Sequence, residues 1–234
     1  MGPAVAVEAV IFDWGGTLTP WRTIEPIAEW ATLAAAVAPD DAAAVTRALC
    51  DAAQLVWTRS RELHRSATFA EICTLADVQP TDQAIAAYRA FWEPATLTDP
   101  DVTPLLMDLR DRGILVGVLS NTVWPREWHE EIFRRDGVLD LIDAAVFTSE
   151  IEWTKPSRQA FAAAMAGLGV TDPSACVFVG DRPFDDIFGA RQAGMRAVLL
   201  PHSQIPDYQS GHTEGEPDAV IQRLADLPAR LADW

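Results

Sequence analysis

VEAVIFDWGGTLT, residues 7–19, opens with an apolar run and breaks off at an acid followed by two glycines. Val7, Ala9, Val10, Ile11 and Phe12 show little of the alternation expected of a half-exposed strand. They read as a strand buried on both faces, the kind found in parallel sheets covered by helices. In open α/β sheets, ligands bind just beyond the carboxyl ends of such strands. Asp13 falls there, and Gly15 and Gly16 allow backbone amides to approach an anion closely, with Thr17 following. That grouping suits chemistry on phosphate. The same residues also make an ordinary turn, so the rest of the chain has to decide.

Downstream the pattern turns helical. Residues 24–38, Asp40 to His64, Thr68–Val78 and Thr81–Phe91 read as helices, the last two each with a threonine able to cap the N-terminus. No convincing strand occurs between residues 20 and 97, and Pro94 with Leu97–Pro100 reads as a return linker. From Asp101 onward strands and helices alternate. Strands are expected at Ile114–Leu119, Ala144–Phe147, Ala175–Val179, Ala197–Leu200 and Ala219–Ile221. Helices are expected at Asp101–Arg112, Pro125–Arg135, Ser157–Leu168, Ile187–Ala193 and Leu224–Leu231, with a polar loop over Pro206–Pro217. Alternation of this kind predicts an α/β, doubly wound parallel sheet with right-handed crossovers. The core would comprise residues 1–19 and 98–234, and residues 20–97 would form a small helical cap over the sheet's carboxyl edge.

A chain of 234 residues, 49% hydrophobic and 22% charged, is long enough for one good core and a smaller insert. A formal charge of −16 argues against nucleic acid and anionic membrane partners. Three widely spaced cysteines (Cys50, Cys73, Cys176) make neither a zinc spacing nor a disulfide framework. Without a leader-like N-terminus or a spanning apolar run, a cytoplasmic location is expected. Among 18 basic residues, Lys155 is the one lysine.

Four groups fall at or just past predicted strand ends: Asp13, Ser120-Asn121, Lys155, and Asp181 with Asp185 and Asp186. Singly, each reads as a turn residue, a surface cation or a helix cap. Together they supply a carboxylate nucleophile, hydroxyl and amide donors, an ammonium and an acidic cluster suited to a metal. The segments FDWGGTL, VLSNT, WTKP and VFVGDRPFDDIFGARQAG, in that order, resemble the four motifs of the haloacid dehalogenase-like (HAD) hydrolase superfamily. The resemblance spans nearly the whole core, implies a Rossmann-like fold, and puts the helical insert where that family carries a common cap.

The resemblance implies Asp13 as the nucleophile that becomes an aspartyl phosphate. It implies Mg²⁺ held by Asp13, the backbone carbonyl of Gly15, Asp181 and either Asp186 or Asp185, Asp186 fitting the spacing somewhat better. Ser120, the amide of Asn121 and Gly16 would meet the phosphoryl oxygens. Lys155 would neutralise charge and keep the crowded carboxylates ionised. The substrate would be a small phosphorylated metabolite, and the protein a monomer or homodimer. Trp21 and Arg22 follow the nucleophile loop closely enough to touch substrate.

One departure stands out. Phosphatases of this family carry a second Asp two positions after the nucleophile as acid–base, and Gly15 stands there. A glycine cannot transfer a proton, and loss of a placed acid–base costs about 10²–10⁴-fold in rate. Three readings follow: a phosphohydrolase with a substitute acid–base or good leaving groups, a dehalogenase- or phosphonatase-like hydrolase, or a binder of phosphorylated ligands with little turnover. Residues 20–97 hold no lysine for phosphonatase-like Schiff-base chemistry, and GDRPFDD is more acidic than a dehalogenase requires. Retention of Asp13, Lys155 and Asp181 favours the phosphohydrolase. Glu25, Glu62 and His64 are the candidate substitutes in the cap region.

Overall fold

Ala9–Phe12 forms β1, and all four of its side chains are buried. The computed structural model describes residues 6–22, 25–201 and 215–234. Most of the expected Pro206–Pro217 loop therefore lies outside the described residues. The other strands are β2 (Leu115–Ser120), β3 (Ala144–Phe147), β4 (Cys176–Gly180), β5 (Arg196–Leu199) and β6 (Ala219–Val220). They form one sheet in the order β3-β2-β1-β4-β5-β6, with every neighbouring pair parallel.

Four helices follow β1: α1 (Pro26–Val37), α2 (Ala42–Leu63), α3 (Phe69–Leu75) and α4 (Asp82–Trp92). Thr68 and Thr81 cap α3 and α4 through Glu71 N and Ala84 N. α3 ends short of the predicted Val78 because Asp77 turns left-handed, at φ 56°. α1 packs against α2 and α4, and α2 against α3. The chain then alternates through α5 (Val102–Asp111), α6 (Arg126–Arg135), α7 (Arg158–Leu168), α8 (Gly189–Ala193) and α9 (Leu227–Leu231).

Successive β1 side chains enter opposite layers, as the two-residue period of a strand requires. Ala9 and Ile11 pack with Phe161 and Ala164 of α7 and Ala190 of α8. Val10 and Phe12 join a layer that holds Leu105 and Leu109 of α5, Phe133 of α6 and Leu227 of α9. Buried side chains of α1–α4, including Trp30, Leu33, Leu49 and Tyr88, are continuous with that second layer. No helix among the described residues is long and apolar enough to cross a membrane.

The segment before α8 differs from expectation. A helix is predicted from Ile187, but Pro183–Phe188 already winds as one wide π-type turn. The amides of Asp186 and Ile187 both donate to the Arg182 carbonyl, at 3.1 and 3.2 Å. Turns of this kind cluster at functional sites because they re-aim a side chain. Here the re-aimed side chain is Asp186.

Candidate active site

The register that pairs Phe12 with both Val118 and Val179 puts Asp13 and Asp181 just past the carboxyl ends of β1 and β4, at the same end of the sheet as Ser120, the last residue of β2. All three are buried. Lys155, in the loop before α7, reaches the same place: its Nζ donates to Asp13 Oδ1 at 2.6 Å and to Asp186 Oδ1 at 2.7 Å. Asp13, Asp181 and Asp186 each offer an oxygen within 4.8 Å of the others, a set able to hold a metal ion. Asp186 is fully buried and its Oδ2 accepts from the Arg182 amide at 2.9 Å. Asp185, its alternative in the sequence, is half-buried and stands outside this trio.

Gly16 and Gly180 leave room for the carboxylates. A Cβ on Gly16, whose φ is +95°, would lie 2.5 Å from Asp181 Oδ2. A Cβ on Gly180 would lie 2.3 Å from Asp186 Oδ2. The Gly16 amide, expected at a phosphoryl oxygen, here donates to the Thr19 carbonyl at 2.7 Å. A Cβ on Gly15, by contrast, would meet nothing within 4 Å.

Charge in the cluster is out of balance. Burial raises the Asp13 carboxyl to about 6, against the attraction of Lys155. Burial, followed by repulsion from Asp13 and Asp186, raises Asp181 well above the carboxylate range. Asp185 rises to about 6 through burial and then Asp186. Burial on its own favours neutral Lys155, yet Asp13 and Asp186 outweigh it and hold the ammonium above its usual pKa. Neither Asp181 oxygen has a hydrogen-bond partner among the described residues. Buried acceptors are normally satisfied, so two orphaned oxygens beside two further carboxylates fit a cation that binds oxygen.

Asn121 contributes through its side chain. Oδ1 accepts from the Lys155 amide at 2.8 Å and Nδ2 donates to the Lys155 carbonyl at 3.1 Å. Ser120 ends β2 beside it. Trp21 lies under the Arg182 guanidinium, 4.8 Å from ring centre to Cζ, whereas Arg22 is exposed. Glu25 and Glu62 are exposed too. His64, the left-handed cap of α2, sets its ring 6.3 Å from Phe184 in the turn that carries Asp186. Trp124 and Trp153 differ in role: the first is buried, and the second carries Arg65 at 4.0 Å.

The helical insert touches the loops that bear these groups. Phe69 N donates to Val123 O at 2.6 Å, and Tyr88 Oη accepts from Trp124 Nε1 at 3.1 Å. Ser66 N donates to Glu152 O at 3.1 Å and Thr154 N to His64 O at 3.0 Å, just ahead of Lys155. Sequence reasoning missed these links, the Asn121 grip and the seat of Arg182. The adjacency of Arg182 to Asp181 was the one available signal for the last.

A family model described as haloacid dehalogenase-like hydrolase matches residues 7–194. A glyceraldehyde 3-phosphate phosphatase of Methanopyrus kandleri is 34% identical over 158 residues, 65% of each chain. A phosphoserine phosphatase of Thermus thermophilus is 30% identical over 128 residues, 55% of this chain and 49% of that one. The match thus spans less than two thirds of either relative's length. A HAD phosphatase from Thermococcus onnurineus superposes with a TM-score of 0.68 at 23% identity, covering 96% of this chain and 98% of its own. A 2-haloacid dehalogenase from Pseudomonas syringae pv. Tomato reaches the same 0.68 at 26% identity, covering 97% and 99%. The fold accommodates both kinds of protein and does not separate them. The motif order, the parallel sheet and the family match over residues 7–194 agree, and the chain belongs to the haloacid dehalogenase-like hydrolases.

Proposed function

We propose that the protein is a Mg²⁺-dependent phosphohydrolase of a small phosphorylated metabolite, acting through an aspartyl phosphate on Asp13. The observation that carries this reading is the meeting of Asp13, Lys155, Asp181 and Asp186 at one end of the sheet, with neither Asp181 oxygen hydrogen-bonded among the described residues. The phosphatase names of the matched relatives support it. Asp13, Asp181, Asp186 and the Gly15 carbonyl would hold Mg²⁺, which when bound supplies positive charge opposite the phosphoryl oxygens.

In this reading Lys155 holds Asp13 Oδ1 and leaves the other oxygen to attack phosphorus. The Asp13–phosphorus bond forms as the ester bond breaks, and the leaving oxygen takes a proton. Water then attacks the aspartyl phosphate and phosphate departs. Lys155, with Ser120 and Asn121, stabilises charge on the transferring group. Residues 20–97 act as the cap that excludes water and selects substrate. With glycine at position 15 no carboxyl stands there to transfer a proton, which suits esters whose leaving groups depart without one. The same glycine supports a second reading, a binder of phosphorylated ligands with little turnover.

Phosphate release from a panel of phosphorylated metabolites with Mg²⁺, for wild type and Asp13→Asn, tests the proposal. Turnover that disappears in Asp13→Asn supports it. Full activity in Asp13→Asn overturns it, and tight phosphate binding without any turnover favours the second reading.

A further inference from the structure

Lys155 is held from two directions, and only one of them is the core. Asn121 grips its amide and its carbonyl. The residues just before it are held by the helical insert. Residues 64–66, which leave the end of α2, run antiparallel to residues 152–154, with Arg65 opposite Trp153. Thr154 N donates to His64 O at 3.0 Å, and Ser66 N to Glu152 O at 3.1 Å. The Ser66 hydroxyl donates to the Ile151 carbonyl, and Ser60 Oγ to Thr154 Oγ1 at 3.3 Å. The Arg65 guanidinium covers the Trp153 ring at 4.0 Å and pairs with Glu152.

This strap is anchored at its back. Arg59 on α2 donates to Ser66 O at 3.0 Å and to both carboxylate oxygens of Glu71 on α3, at 2.8 and 3.0 Å. A two-pronged pairing of that kind fixes direction as well as distance. Three residues beyond Ser66, Phe69 N donates to Val123 O at 2.6 Å, two positions after Asn121. One stretch of the insert therefore fastens the loop of Lys155 and the loop of Asn121, which Asn121 already joins to each other. The three connections close a triangle.

A lysine needs such support. Its ammonium ends a flexible four-carbon stem, and here it has to meet Asp13 at 2.6 Å and Asp186 at 2.7 Å. A misplacement of about 1 Å can cost about 10²-fold in rate. We propose that Ser66 is a positioning residue for Lys155. With the His64 carbonyl it holds the loop at the height from which the ammonium meets Asp13, so that docking of the cap and placement of the lysine are one event. The effect on catalysis rests on the phosphohydrolase reading; the placement does not.

Because Lys155 is the one lysine of the chain, amine labelling reads its placement directly. The folded protein is treated with trinitrobenzenesulfonate, the N-terminal amine being separated by peptide mapping, and turnover of p-nitrophenyl phosphate with Mg²⁺ is followed alongside. Lys155 is 2% exposed and doubly ion-paired, so it should label slowly in the wild type. Ser66→Ala should speed its labelling by about tenfold, the effect of leaving one carbonyl unpaired. It should lower kcat by a similar factor, more than it raises KM. Ser66→Thr, which keeps the hydroxyl, should restore both. Thr81→Ala removes the cap of α4 and none of these bonds, and should leave labelling and kcat as in the wild type. Labelling in Ser66→Ala no faster than in the wild type, faster labelling with an unchanged kcat, or an equal rise in Thr81→Ala overturns the inference. Faster labelling of Lys155 in Ser66→Ala, when the wild type itself hydrolyses no phosphate ester, supports the placement and counts against the phosphohydrolase reading alone.

Discussion

The side-chain amide of Asn121 grips the backbone of Lys155, accepting from its N–H at 2.8 Å and donating to its carbonyl at 3.1 Å. The residue after β2 thereby fixes the height at which the ammonium meets Asp13. Asn121→Ala leaves two half-buried backbone groups unpaired, at about 1–3 kcal/mol. Urea denaturation should show that loss. Phosphate release should fall by about 10–100-fold, since misplaced catalytic groups cost at least that much. Unchanged turnover with reduced stability would confine Asn121 to a structural role.

Metal binding should show itself in stability before any turnover is measured. A ligand at 100 times its dissociation constant stabilises the folded state by about 2.7 kcal/mol, which for a chain of this size is roughly 5–10 °C in Tm. Mg²⁺ is expected to raise Tm and EDTA to reverse the rise. Asp181→Asn should abolish the response. In EDTA it should melt above the wild type, because a carboxyl crowded by Asp13 and Asp186 is buried only at the cost of holding a proton that the unfolded chain has released, and the amide carries no such cost. Opposite signs with and without metal distinguish a metal ligand from a packing residue.

The strands and their terminal acids were legible because buried parallel strands must be apolar, so a polar residue at their carboxyl end stands out. That placement marked Asp13, Ser120 and Asp181 as candidates, and the four motifs taken together gave them their expected roles. The choice between Asp185 and Asp186 depended on the wide turn over Pro183–Phe188, and a one-residue ambiguity on such a turn reverses which carboxylate faces inward. Trp21 and Arg182 stand 161 positions apart in the chain, and no local pattern joins them. The Gly16 amide looked available for an anion until the turn gave it to Thr19.

Gly15 can be tested by restoring what it lacks. A Cβ there meets nothing within 4 Å, so Gly15→Asp should fold without strain. If the missing carboxylate limits turnover, the variant should accelerate alkyl phosphates far more than p-nitrophenyl phosphate, whose leaving group needs no proton. The gain on poor leaving groups should fall in the range of about 10²–10⁴. Equal gains on both substrates would place the limitation elsewhere.

Glu29 sets a pH dependence remote from the metal cluster. Its Oε2 accepts from Tyr88 Oη at 2.8 Å and from Trp92 Nε1 at 3.2 Å, and burial raises its carboxyl from 4.5 to about 7 against both bonds. Between those values the folded protein keeps a proton that the unfolded chain has released. Its contribution to stability is therefore complete below pH 4.5, declines as pH rises through 7 and is gone above that. The span is on the order of 2 kcal/mol, after allowance for the partial exposure of the residue. Glu29→Gln keeps an acceptor for both donors and cannot ionise. Its stability relative to wild type, from urea denaturation, should be near zero at pH 5 and clearly positive at pH 8. A difference of the same size at both pH values would show that Glu29 is ionised in the fold, with Tyr88 and Trp92 sufficient to hold its charge.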